Sequence, residues 1–190
     1  MLVFIALIVL VLGGAAIVFN RLIRLRNAAK AAWSDIDVQL KRRHDLVDNL
    51  VETVKGYAQF ERGTLERVTA VRGSAADALG RGSPAGASEA EGRLTGEMRR
   101  LFAVAESYPQ LKASEQFLGL QRGLIELEDG IQNARRYYNA VVRDLNIRIQ
   151  SFPDLLVARL FGFQERQFFA LESVQEAAAP KVELEGGGRS

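Results

Sequence analysis

Leu2 to Phe19 is an uninterrupted run of 18 uncharged residues, LVFIALIVLVLGGAAIVF. A helix rises 1.5 Å per residue, so this run reaches about 27 Å, close to the ~30 Å hydrocarbon thickness of a bilayer. Gly13, Gly14, Ala15 and Ala16 fit a membrane helix, where small residues permit close packing. A cleaved signal peptide is the competing reading, and it needs a basic segment before the run and a small-x-small site after it. Nothing basic precedes Leu2, and Ile17-Val18-Phe19 follow the small residues. Residues 1–20 are therefore predicted to be a transmembrane anchor.

Charge then sets the expected orientation. Arg21, Arg24, Arg26 and Lys30 follow the run with no acid among them. Basic residues beside a span are retained in the cytoplasm and attract anionic headgroups. These four are the expected membrane-surface contacts. The predicted location is the inner (cytoplasmic) membrane, single-pass, with the N-terminus out and the body in the cytoplasm. A body outside is the alternative, because the rule weakens for a long trailing domain.

The rest of the chain reads as all-α, the anchor continuing into a long antiparallel helical bundle over residues 21–176, with a disordered tail at 177–190. A seam of 3-4 spacing begins at Trp33 and passes through Ile36, Leu40, Val47, Leu50 and Val54. No proline occurs before Pro84, so one helix is expected to reach about Leu79, with a bend near Gly56, Gly63 or Gly73. GRGSPAGAS at 80–88 breaks the pattern, and Ser88-Glu89-Ala90-Glu91 reads as a capping box opening the next helix. A second seam runs Phe117, Leu120, Leu124, Leu127, Ile131, Ala134, Tyr138, Val141, Leu145, Arg148 and Phe152. At about 1.5–3 kcal/mol per large apolar residue it offers roughly 15–25 kcal/mol gross, so it must be covered, and the first helix is the expected antiparallel partner. Ser107-Tyr108-Pro109-Gln110-Leu111 and Ser151-Phe152-Pro153-Asp154-Leu155 share one pattern and read as helix breaks with restarts. After the second, 155–161 and 163–176 are expected to be short helices on either side of Gly162.

Three stretches together resemble the LemA family: RNAAKAAWSDIDVQLKRRHDLVDNLVETVKGYAQFERGTLERV at 26–68, YPQLKA at 108–113, and ARRYYNAVVRDLNIRIQSFPDLLVARLFGF at 134–163. The likeness extends over nearly the whole chain. Its most specific parts are the run Ile36 to Arg43, Asp45-Leu46 with Asn49-Leu50-Val51, and Tyr138-Asn139. One departure is Asp48, where the family often has proline, which predicts a straighter helix here. The resemblance implies a membrane-bound bundle of long helices and no particular reaction.

The chemistry-bearing residues support the same conclusion. His44 is the only histidine and there is no cysteine, which removes thiol nucleophiles, disulfides, zinc sets and di-iron sites built on two histidines. His44 is read as an exposed or hydrogen-bonded structural residue, and its replacement by Ala is expected to leave abundance, assembly and cellular function unaltered. Lys41-Arg42-Arg43 is read as salt-bridging to a neighbouring helix or subunit. Asp35, Asp37, Asn49, Asn139 and Asn146 are read as polar residues fixing helix register; Asp35 and Asp37 point to different faces and form no acid pair. No catalytic residue, metal site or cofactor is expected, and the chain is not expected to be an enzyme. A net charge of +2 argues against nucleic acid as partner. Expected partners are the lipid bilayer, further copies of the chain and a possible membrane protein. The function expected is a self-associating, membrane-anchored helical scaffold; an adaptor or regulator of a membrane protease or signalling enzyme is the alternative.

Overall fold

The computed structural model describes residues 1–57 and 61–169. Six helices follow in order: α1 (Leu2–Lys55), α2 (Arg62–Gly80), α3 (Pro84–Ala105), α4 (Pro109–Lys112), α5 (Glu115–Gln150) and α6 (Asp154–Leu160). Among the described residues there is no strand.

α1 carries the apolar run and the first seam in one unbroken helix of 54 residues, passing through Asp48 without interruption. Helix formation does not continue to Leu79 as the proline-free sequence suggests. α1 ends at Lys55, and α2 starts at Arg62 and returns along α1. The reversal brings Arg72 onto Asp48. Past α2, Gly82 adopts φ +68°, a left-handed conformation that suits a residue without Cβ. Ser83 then caps α3 by accepting from the Gly86 N–H at 3.3 Å, and Pro84 takes the first helical position. The start of α3 therefore lies at Ser83 and not at Ser88, which sits buried inside the helix.

Tyr108-Pro109 and Phe152-Pro153 both interrupt helices, the second with a cis peptide bond. Ser114 caps α5 through the Phe117 N–H. α5 runs antiparallel to α1 for its full length, so that Gly123 faces Leu46, Tyr138 lies beside Trp33 and Leu145 clusters with Leu22. Three cores follow from this arrangement. Far from the apolar run, α1, α2, α3 and α5 make a four-helix core around Leu50, Val68, Leu94, Leu101 and Leu124. In the middle, Ala29, Ala32, Ile36 and Leu40 pack with Ile131, Tyr138 and Val142. Nearest the run, Leu22 meets Leu145, Ile149 and Ala158 of α6.

α6 closes with a Schellman pattern. The Phe163 N–H donates to the Ala158 carbonyl at 2.9 Å and the Gly162 N–H to the Arg159 carbonyl at 3.3 Å, with Gly162 at φ +66°. Residues 163–169 are not helical, contrary to the expected helix over 163–176. They form an extended strap along α5, because side chains of α5 supply the hydrogen bonds that a helix would otherwise make internally. The expected continuation of that helix over 170–176 and the tail at 177–190 lie outside the described residues.

Candidate functional site

Two constructions stand out above ordinary helix packing, one at each end of the body. Around the exit of the apolar run, residues 2–14 are all exposed, whereas Ala15, Val18 and Phe19 are partly covered. The Phe19 ring lies 4.7 Å from that of Phe161 and 5.9 Å from that of Phe163. The Arg26 guanidinium stands 5.3 Å above the Phe163 ring. Arg21, Arg24, Arg26 and Lys30 are all exposed, on the faces of α1 that α5 and α6 leave open.

The strap climbs from this collar along α5. Asn146 accepts from the Arg166 N–H and donates to the Arg166 carbonyl, both at 2.9 Å. Asn139 does the same for Phe169, again at 2.9 Å. Seven helical residues rise about 10.5 Å and three extended residues span about 10 Å, so the two amides fall in register with the two strap residues. The Tyr138 hydroxyl donates to the Gln167 carbonyl at 2.9 Å. Burial raises the Tyr138 phenol above its ordinary pKa, partly opposed by the Arg166 charge and hydrogen bond. Phe169 completes the contact against Trp33, with the Arg135 guanidinium 4.8 Å from its ring.

In the four-helix half, charges are buried together. The His44 ring N–H at Nε2 donates to Glu91 Oε1 over 2.7 Å, and Arg43 reaches Glu91 Oε2 at 3.3 Å. Arg43 also donates to Thr95 and lies 3.5 Å from Glu128. His44 is 4% exposed and Glu91 2%. This cluster ties α1 to α3 and α5 through Arg43, which reaches Glu91 on α3 and Glu128 on α5. Of the two readings of His44, exposed or hydrogen-bonded, the structure has the hydrogen-bonded one, and it places Arg43 between helices. Lys41 instead pairs with Asp37 within α1. A phosphotransfer histidine requires an imidazole open to a donor, and this ring is enclosed. Among the described residues, no three His, Cys, Asp or Glu side chains converge on a metal-sized site. One signal for the cluster was present in the sequence: Arg43 occupies a seam position, where a charge must find a buried partner.

Of the seam residues, Ile36, Leu40, Val47, Leu50, Val54, Leu124, Ile131 and Tyr138 are buried, while Trp33, Leu120, Leu127 and Val141 are half-buried. Phe152, the last residue at seam spacing, is 80% exposed. Beside the buried cluster, α3 and α5 leave a groove of about 540 Å³. Met98, Phe102, Leu124 and Ile125 supply apolar walls, and Arg99 and Arg136 stand on its rim.

Comparison with known proteins agrees with this architecture. The LemA family model matches residues 32–184. Magnetosome protein MamQ 2 of Paramagnetospirillum magneticum is 26% identical over 175 residues, covering 80% of this chain and 64% of that protein. The MamQ protein of Magnetospirillum gryphiswaldense is 24% identical over 175 residues with the same coverage. Protein LemA of Metamycoplasma hominis is 26% identical over 166 residues, 87% of this chain and 74% of the relative. The chain thus spans a little under two thirds of the magnetosome relatives' length. None of these relatives is named as an enzyme, and the exposed apolar run of α1 is consistent with membrane anchoring. On the match across most of its length, with the helical architecture that accompanies it, this chain belongs to the LemA family.

Proposed function

We propose that this protein is a non-catalytic scaffold, anchored in the membrane by residues 2–19, that self-associates through its helical body and organises partners or membrane shape. The observation that carries this reading is the continuity of α1, which leads from an apolar run without a buried residue into the bundle as one helix of 54 residues. Such a body is confined to a layer beside the bilayer, where effective concentration is high and weak lateral contacts suffice for assembly. Exposed Ile125 and Leu118, seven residues apart on α5, offer an apolar stripe for such a contact. Relatives named as magnetosome proteins fit a structural role at a membrane. Crosslinking in intact membranes tests it: a ladder ending at a defined size is expected, and a monomer at high membrane density overturns the reading.

A second reading, an adaptor for a membrane protease or signalling enzyme, draws on the groove between α3 and α5. Its rim arginines give it a basic, one-sided character suited to an acidic partner helix. Proximity labelling that recovers one membrane enzyme and no second copy favours the adaptor. In both readings the body lies in the cytoplasm, because four bases follow the span with no acid among them. Protease added to intact spheroplasts is expected to spare the body; digestion with a cytosolic marker intact reverses the orientation.

A further inference from the structure

α6 has two faces of opposite character. Asp154 and Ala158 are buried against α5 and α1, and Asp154 accepts from Arg148 at 3.0 Å. The outward face carries Leu156 and Leu160, and Phe152 stands in the corner just before the helix; they are exposed to 61, 79 and 80%. Phe161 beside them is 56% exposed. Four large apolar side chains gathered on one corner of the body call for an apolar cover.

Position identifies that cover. Leu145 of α5 clusters with Leu22 of α1, and the two helices run antiparallel. Gln150, the last residue of α5, lies five residues beyond Leu145, about 7.5 Å further toward the anchor and level with about Ile17, and Phe152 follows it in the corner. Partial covering of Ala15, Val18 and Phe19 by protein fits this height, as does the stacking of Phe19 on Phe161. The corner between α5 and α6 is thus level with the last turn of the apolar run, where hydrocarbon gives way to headgroups. Aromatic and aliphatic side chains below with arginines above form the pattern of an interfacial element. Here Arg159 of α6 and Arg21, Arg24 and Arg26 of α1 are exposed alongside.

We propose that α6 and the preceding Ser151-Phe152-Pro153 corner form a second membrane-binding element. Phe152, Leu156, Leu160 and Phe161 enter the leaflet from which the span emerges, and Arg159 meets its anionic headgroups. The inference rests on residues 2–19 being a span and not on self-association. Held at two points, the body cannot rotate freely about the axis of α1, so a fixed side of the bundle faces along the membrane.

The cysteine-free sequence allows a direct test on the full-length chain. Single-cysteine variants Leu156→Cys, Leu160→Cys, Leu10→Cys and Ile125→Cys all alter exposed residues, and each is labelled with a nitroxide. They are reconstituted into phosphatidylcholine–phosphatidylglycerol vesicles. Accessibility to oxygen, which partitions into lipid, is compared with accessibility to a nickel chelate, which stays in water. The oxygen-to-nickel ratio at 156 and 160 is expected to exceed that at 125 several-fold and to fall below that at 10. A ratio at 156 and 160 equal to that at 125, with position 10 in lipid, overturns the proposal and leaves the anchor intact. Shielding of 156 and 160 from both reagents means that protein covers the face, and also overturns it. Water exposure at position 10 removes the span and this proposal together.

Discussion

Exchanging Glu91 for Gln keeps the shape of the side chain and removes its charge. In the native fold this one carboxylate accepts from the His44 ring at 2.7 Å and from Arg43 at 3.3 Å, inside a region where all three residues are at most 4% exposed. Breaking a buried pair from one side leaves the other charge enclosed without compensation, which costs about 3–5 kcal/mol. Glu128, 3.5 Å from Arg43 and only 31% exposed at its side chain, retains part of the attraction and argues for the lower end of that range. At about 2–4 °C per kcal/mol for a chain of this size, a loss near 3 kcal/mol lowers the melting temperature by roughly 6–12 °C. Circular dichroism at 222 nm, with the protein held in nanodiscs, reads the transition. Replacing both partners, Arg43→Met with Glu91→Leu, is expected to recover only part of the loss, because it removes the enclosed charge but leaves the buried His44 ring without its acceptor. His44→Ala leaves one bond to Glu91 unmade and is expected to cost about 1–3 kcal/mol of stability. A Glu91→Gln variant that melts with the parent refutes the argument, since a buried guanidinium cannot lose its closest carboxylate at no cost.

Leu124→Asp places a carboxylate in the four-helix core, and cooperative melting of that half is expected to be lost; unchanged melting shows that this seam faces solvent. Asn139→Ala and Asn146→Ala each remove two strap hydrogen bonds, and together they are expected to make the chain around 163–169 sensitive to limited proteolysis while α5 stays protected. The folded Tyr138 phenol ionises above the ordinary 10.0 because of burial, so its contribution is complete below that pH and is lost as pH rises through the folded value. Ultraviolet titration is expected to show a late-ionising phenol that Tyr138→Phe removes, with strap cleavage increasing over the same alkaline range.

The long seams were legible in the sequence because their period survives over many turns, as from Ile36 to Val54 and from Phe117 to Leu145. The two Ser-aromatic-Pro breaks were legible because proline acts locally. The reversal at Gly56 was foreshadowed only as a bend, since glycine weakens a helix without fixing the direction that follows. Ser83 lost out in the reading to Ser88 because a capping box with Glu91 is the stronger local signal, yet that Glu serves a partner 47 residues away. Residues 163–169 carry helix-compatible side chains, and what holds them extended is the amide spacing on α5, a tertiary cause. Asn139 and Asn146 were singled out as register-fixing polar residues. What they align is an extended segment and not another helix.

The unbroken passage of α1 from the apolar run into the bundle has a mechanical consequence. No proline interrupts Leu2–Lys55, and its only glycines, Gly13 and Gly14, lie within the apolar run, so the part of α1 beyond Phe19 has no hinge. The stretch from Asn20 to Lys55 is about 54 Å long and, with residues 2–19 spanning the membrane as proposed, behaves as a lever fixed to the span. Membrane helices adjust to bilayer thickness by tilting, and a change of about 10° swings the far end of such a lever by about 9 Å. The four-helix half, with its α3–α5 groove, sits at that end. A difference in bilayer thickness too small to alter any contact within the protein is thereby converted into a displacement of the groove about as large as the diameter of a helix.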